Sequence, residues 1–103
     1  MEDDKLTQLF YSLVYSFQMQ TWMSLGKIKN PVTDKVEKDL NAAQMTIDII
    51  DMIKEKTKNN LNEQESKFIE QVLADLKLNY VHESSRKDEP EEEKKGEEKK
   101  ENK

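Results

Sequence analysis

The stretch Val36–Ile53, VEKDLNAAQMTIDIIDMI, is apolar around most of a helix and leaves one narrow polar stripe. At 100° per residue, Glu37, Asn41, Gln44, Asp48 and Asp51, with Glu55 beyond them, fall within one arc of about 80°. Val36, Leu40, Ala42, Ala43, Met45, Ile47, Ile49, Ile50, Met52 and Ile53 spread over most of the remainder. A surface helix of a small monomer needs only one apolar face, so this helix is expected to be covered on two or more sides. Its limits are set by local chemistry. Pro31 marks a preceding loop, Asp34 is placed to cap the amino end, and Glu37 three residues on completes a capping-box pattern. Asn59-Asn60 suits the exit after Thr57.

Downstream, Asn62 with Glu65 three residues later opens a further helix in the same way. Its apolar positions Phe68, Ile69, Val72, Leu73, Leu76 and Tyr80 make a single face. Upstream, Leu6–Gly26 is a run of 21 residues without a charge. Eight of them are Thr, Gln or Ser, which does not suit a membrane-spanning helix of about 20 predominantly apolar residues. As a helix outside the membrane the run is well framed. Glu2, Asp3 and Asp4 favour its amino end, Lys27 and Lys29 its carboxyl end, and Gly26 is a fitting stop.

The fold is therefore expected to be all-α: a three-helix bundle, or a helical hairpin plus one helix. The helices fall at about 5–25, 35–57 and 63–81 of a domain spanning 1–82. No apolar residue follows Val81. Segment 83–103 holds 7 basic and 9 acidic residues among 21, and such a segment cannot bury enough apolar surface to offset its chain entropy. It reads as a disordered Glu/Lys-rich tail.

The first helix also carries apolar residues on two sides. One face holds Leu6, Leu9, Phe10, Leu13, Val14 and Phe17. The opposite face holds Tyr11, Tyr15, Met19 and Trp22, with Met23 beside them. Those four residues are the candidate protein interface, because aromatics and Met are enriched where proteins meet. The competing reading packs them over the core rim or against the third helix. Small scaffolds commonly add oligomerisation to stabilise themselves, so a homo-oligomer is expected, most simply a symmetric dimer sharing the first two helices.

Chemistry finds little support. There is no cysteine, which removes disulfides, thiolate catalysis and Cys-based metal sites. The 82-residue domain carries 10 basic and 13 acidic side chains with no clustered basic patch, which argues against nucleic acid as a partner. Asp48, Asp51 and Glu55 share a helix face as a carboxylate pair or cation site would require, yet a solvated helix face looks the same. The sole histidine, His82, is preceded at Glu-x-x-His spacing by Asn79, so the di-metal bundle pattern is absent. Ser12, Ser16 and Ser24 lack a nucleophile-elbow glycine pattern, and two glycines make no phosphate loop. Lys54 continues the Val36-Leu40-Ala43-Ile47-Ile50 row, where its stem can lie on apolar surface while the ammonium reaches water.

The run DLNAAQMTIDIIDMIKEKTKNNL, residues 39–61, resembles a family of short bacterial proteins catalogued only as a domain of unknown function. Phe10, Leu13, Val14, Ser16, Leu25 and Gly26 extend the likeness upstream, and Glu65, Leu73, Leu76, Tyr80 and Val81 extend it downstream. The resemblance thus covers about residues 10–81. It implies a small, helical, bacterial protein and no reaction. One departure is Thr21, where the family is expected to favour alanine, so helix packing should differ there.

The sequence thus points to a non-enzymatic helical protein working through protein contacts, as a homo-oligomeric scaffold or an accessory subunit. No catalytic, cofactor or metal residue is assigned. The alternative is a peripheral membrane protein using the first helix, although interfacial helices carry a basic polar face that this one lacks. A carboxylate-metal enzyme ranks below both. The acidic start Met1-Glu2-Asp3-Asp4 has the wrong sign for a secretory signal, which makes the cytoplasm the default location.

Overall fold

A computed structural model describes residues 2–86. The Glu/Lys-rich tail expected beyond the domain lies outside the described residues from position 87 onward. Three helices follow in order: α1 Asp3–Ser24, α2 Leu40–Lys56 and α3 Glu63–Ser85. Each touches both others, so the arrangement is a three-helix bundle.

The ends are written in local chemistry. Gly26 has φ +80°, its N–H donates to Met23 O at 3.0 Å, and the Lys27 N–H donates to Trp22 O at 2.9 Å. That pair of bonds is a Schellman stop, for which a residue without Cβ is best suited. At the other turn, Asn59 takes φ +70° after α2 has ended. Asn62 then caps α3. Its side chain accepts from the Glu65 N–H at 2.8 Å, and the Glu65 carboxylate accepts from the Asn62 N–H at 2.9 Å.

The expected start of α2 needs correction. Asp34 does not cap it; Asp34 sits at φ +59° in a turn whose N–H donates to Asn30 O at 2.7 Å. Residues 25–39 instead form a tight excursion, pinned by bridges between Leu25 and Lys38 and between Asn30 and Lys35. The true cap is Asp39, whose carboxylate accepts from the Ala42 N–H at 3.0 Å. Val36 is consequently outside the helix and exposed. α3, in turn, runs on past 81 to Ser85, so Glu83 belongs to the folded part.

The core joins Val14 of α1, Ile47, Ile50 and Ile53 of α2, and Ile69, Val72, Leu73 and Leu76 of α3. Ile50, Ile69 and Leu76 are fully buried, and truncating any one to alanine should cost about 2–5 kcal/mol. The packing row expected on α2 holds at Ala43, Ile47 and Ile50, whereas Lys54 at its end is exposed.

Candidate functional site

The bundle chooses between the two apolar sides of α1. The side it buries runs through Thr7, Tyr11, Val14, Gln18, Thr21 and Leu25, with Phe10 and Phe17 half-buried beside them. Thr7 donates to Glu65 Oε2 at 2.6 Å, and the Tyr11 ring meets Phe68 edge-on at 4.6 Å between centroids. Both contacts look at α3. Thr21, fully buried, has its hydroxyl 2.6 Å from that of Thr46 and so looks at α2.

These anchors locate the four candidate interface residues. Tyr11 is half-buried against Phe68, and Trp22 packs against the core. Met19 is half-buried, and Tyr15 is 55% exposed. The four lie on the side of α1 that borders α3, where they do not make one continuous open stripe.

The open apolar surface is elsewhere. Leu6, Leu9 and Leu13, on the other apolar face of α1, are 49%, 49% and 46% exposed. On the helical wheel they follow beyond Thr21, on the side away from α3. α2 behaves in the same manner. Thr46 faces α1, Asp51 faces α3 through its 3.1 Å ion pair with Lys77, and Met45 and Met52 lie beyond Thr46. Met45 is 62% and Met52 47% exposed, with half-buried Ile49 and Ala42 in the same row. Because α1 and α2 run antiparallel, the two rows open on one side of the α1–α2 pair. Counted back along the antiparallel pair from the Thr21–Thr46 contact, Leu13 comes level with the last turn of α2, where the two rows approach.

The charged side chains tie the elements of the bundle together. The Glu83 carboxylate, with its side chain 5% exposed, binds Lys27 Nζ at 2.7 Å and Lys38 Nζ at 2.8 Å, with Arg86 at 3.4 Å. Burial by itself would raise this carboxyl; the hydrogen bonds and charges of Lys27 and Lys38 outweigh it and hold it at about 2. The cluster ties both ends of the 25–39 excursion to α3. Glu65 is lowered as well, by the Thr7 hydroxyl and then the Asn62 N–H, against a smaller upward effect of burial.

Two of the three carboxylates in the acidic row on α2 have structural partners: Asp48 accepts from Gln44 Nε2 at 2.9 Å, and Asp51 pairs with Lys77 of α3. Among the described residues, no group of three His, Asp or Glu side chains is arranged to hold a metal ion. A shallow groove at the α2–α3 turn is lined by Lys54, Lys58, Leu61, Ser66 and Glu70, mixing both signs of charge. His82 is exposed. Among the described residues, no helix is long and apolar enough to cross a membrane.

The chain belongs to the DUF1844 family, a domain of unknown function, whose model matches residues 7–82. That span runs from Thr7, one turn into α1, through α2 to His82 in the last turn of α3. No curated protein and no solved structure matches the chain.

Proposed function

Taking membership of a family without an assigned activity as the premise, we propose that this chain is a non-enzymatic helical protein that works through protein contacts. It serves as a homo-oligomeric scaffold or an accessory subunit, and it makes those contacts with the open side of the α1–α2 pair. One observation carries the reading: five large apolar side chains, Leu6, Leu9, Leu13, Met45 and Met52, stand close to half exposed or more on that side. Scattered single apolar residues need no explanation on a protein surface, but a contiguous apolar band marks an interaction site.

A lipid interface is the competing occupant. Helices that lie in it carry basic residues beside the apolar face. α1 is uncharged from Leu6 to its end at Ser24, which favours protein over membrane. The cytoplasm is the compartment in which we place this activity.

A photoreactive residue at position 9 or 45, in cells producing the full chain, tests the reading. Adducts with protein should form at these positions and not at exposed Gln64 on α3. No adducts, or the same yield at all three positions, would refute it.

A further inference from the structure

The open side of the α1–α2 pair has a property that selects its occupant. Its apolar band is leucine at one end and methionine at the other: Leu6, Leu9 and Leu13 along the amino-terminal half of α1, then Met52, Ile49 and Met45 along α2. We infer that this band is covered by a second copy of the same chain, in a two-fold dimer whose four inner helices are α1 and α2 of each copy. This rests on the reading of the band as a protein-contact surface and names the partner.

Three observations favour a second copy. The first is area. From their fractional exposures, Leu6, Leu9, Leu13, Met45 and Met52 offer roughly 500 Å² per copy, to which the half-buried Phe10, Phe17, Ala42 and Ile49 add, against the roughly 800 Å² per partner of a standard stable interface. Polar neighbours at its margin, among them Ser16, Gln20 and Lys56, supply the remainder as a rim. Lys56 can keep its ammonium in water at that rim while its stem lies on the band.

The second is complementarity. A two-fold axis through the middle of the band lays the leucine end of each copy over the methionine end of the other. Leucine presents a fixed shape, and methionine, unbranched and flexible, fills the gaps such a shape leaves.

The third is electrostatic. α1 brings no charge to this contact between Leu6 and Ser24, and on α2 the row Ala42, Met45, Ile49 and Met52 is uncharged, with Asp48 at its margin, bonded to Gln44, and Lys56 at its end. Joining two such faces removes apolar surface from water without burying an unpaired ion. The outward side of α3, with exposed Leu78 and Val81, stays outside this contact.

The test is sedimentation equilibrium of the full chain at micromolar concentration, for wild type and for Leu9→Glu, Met45→Glu and Leu78→Glu. The wild type and Leu78→Glu should give twice the 12.2 kDa chain mass. Leu9→Glu and Met45→Glu should each fall to a single chain mass while circular dichroism reports an unchanged helical content. Met45 is the more exposed of the two, so its variant separates loss of assembly from loss of fold. A wild type of single-chain mass overturns the inference, as does a dimer that survives both band substitutions. Anionic vesicles that retain the wild type but not the band variants would also overturn it, in favour of lipid. A single-chain mass with position-9 adducts to a different protein refutes the second copy alone. A complete lack of adducts refutes the contact reading beneath it.

Discussion

The hydroxyls of Thr21 and Thr46 lie 2.6 Å apart in the buried seam between α1 and α2. Thr21 also reaches Phe17 O at 2.8 Å and Thr46 reaches Ala43 O at 3.1 Å. Whichever hydroxyl donates across the seam, the other donates to a carbonyl of its own helix. Two polar groups are thus buried with all their protons used, at the position where the family resemblance leads one to expect alanine. Thr21→Ala and Thr46→Ala should each cost about 1 kcal/mol in urea unfolding, and the double variant less than their sum by at least about 0.5 kcal/mol. Thr21→Val should be no better than Thr21→Ala, because a methyl group does not fit so close to the Thr46 oxygen. Strict additivity would mean that the two hydroxyls do not interact.

Glu83 gives the fold an acid-sensitive clamp. Its carboxyl is depressed from an ordinary 4.5 to about 2, so its contribution is complete above 4.5 and is lost as pH falls through about 2. Glu83→Gln should lower stability at neutral pH by on the order of 2 kcal/mol, a figure already discounted for the partial exposure of both lysines. It should also flatten the acid limb of stability between those two pH values. Thermal melts of wild type and variant across that window check both effects. A variant whose acid limb matches that of wild type would contradict the clamp.

At the start of α3, Asn62 and Glu65 satisfy each other's N–H groups, and Thr7 of α1 adds a hydrogen bond to the same carboxylate. Asn62→Ala should cost about 1 kcal/mol, measured by denaturant unfolding. Asn62→Asp should retain most of that stability, since aspartate offers the same acceptor to the Glu65 N–H.

Gly26 ends α1 at φ +80°, and a Cβ added there would meet Lys38 Cβ at an ordinary 3.5 Å. Space is therefore available and the backbone is the obstacle. Gly26→Ala should cost about 1–2 kcal/mol from left-handed strain, and Gly26→Asn less. Equal losses for the two variants would point to crowding instead.

How far the sequence discloses this molecule depends on how local each decision is. α3 and its capping box are readable because the signal spans four residues and the helix has one apolar face. The stop at Gly26 is readable for the same reason. The start of α2 is not, because Asp34-x-x-Glu37 satisfies the capping pattern as written. What displaces it is the pairing of Leu25 with Lys38 and of Asn30 with Lys35, which holds the chain out of the helix until Asp39. The rotation of α1 is hidden as well. With no charge from Leu6 to Gly26 and apolar residues all round, periodicity cannot choose between Leu9 and Tyr11 as the buried side. The choice is made by Phe68, Glu65 and Thr46, all far along the chain. Glu83 in a run of charges reads as solvated, since its partners Lys27 and Lys38 are equally distant. That rotation leaves Leu6, Leu9 and Leu13 open and half-buries Tyr11, Met19 and Trp22.

Methionine oxidation reports directly on whether the open side of the α1–α2 pair is covered in the working protein. Met45 and Met52 stand on the band, and a thioether reacts with peroxide according to its exposure. Mass spectrometry of the full chain after a brief peroxide pulse gives the rate at each. In wild type at micromolar concentration, Met45 and Met52 should oxidise several-fold more slowly than in the Leu9→Glu variant, and the difference should close on dilution. Equal rates in wild type and variant at every concentration would show the band open to water, and would contradict the account.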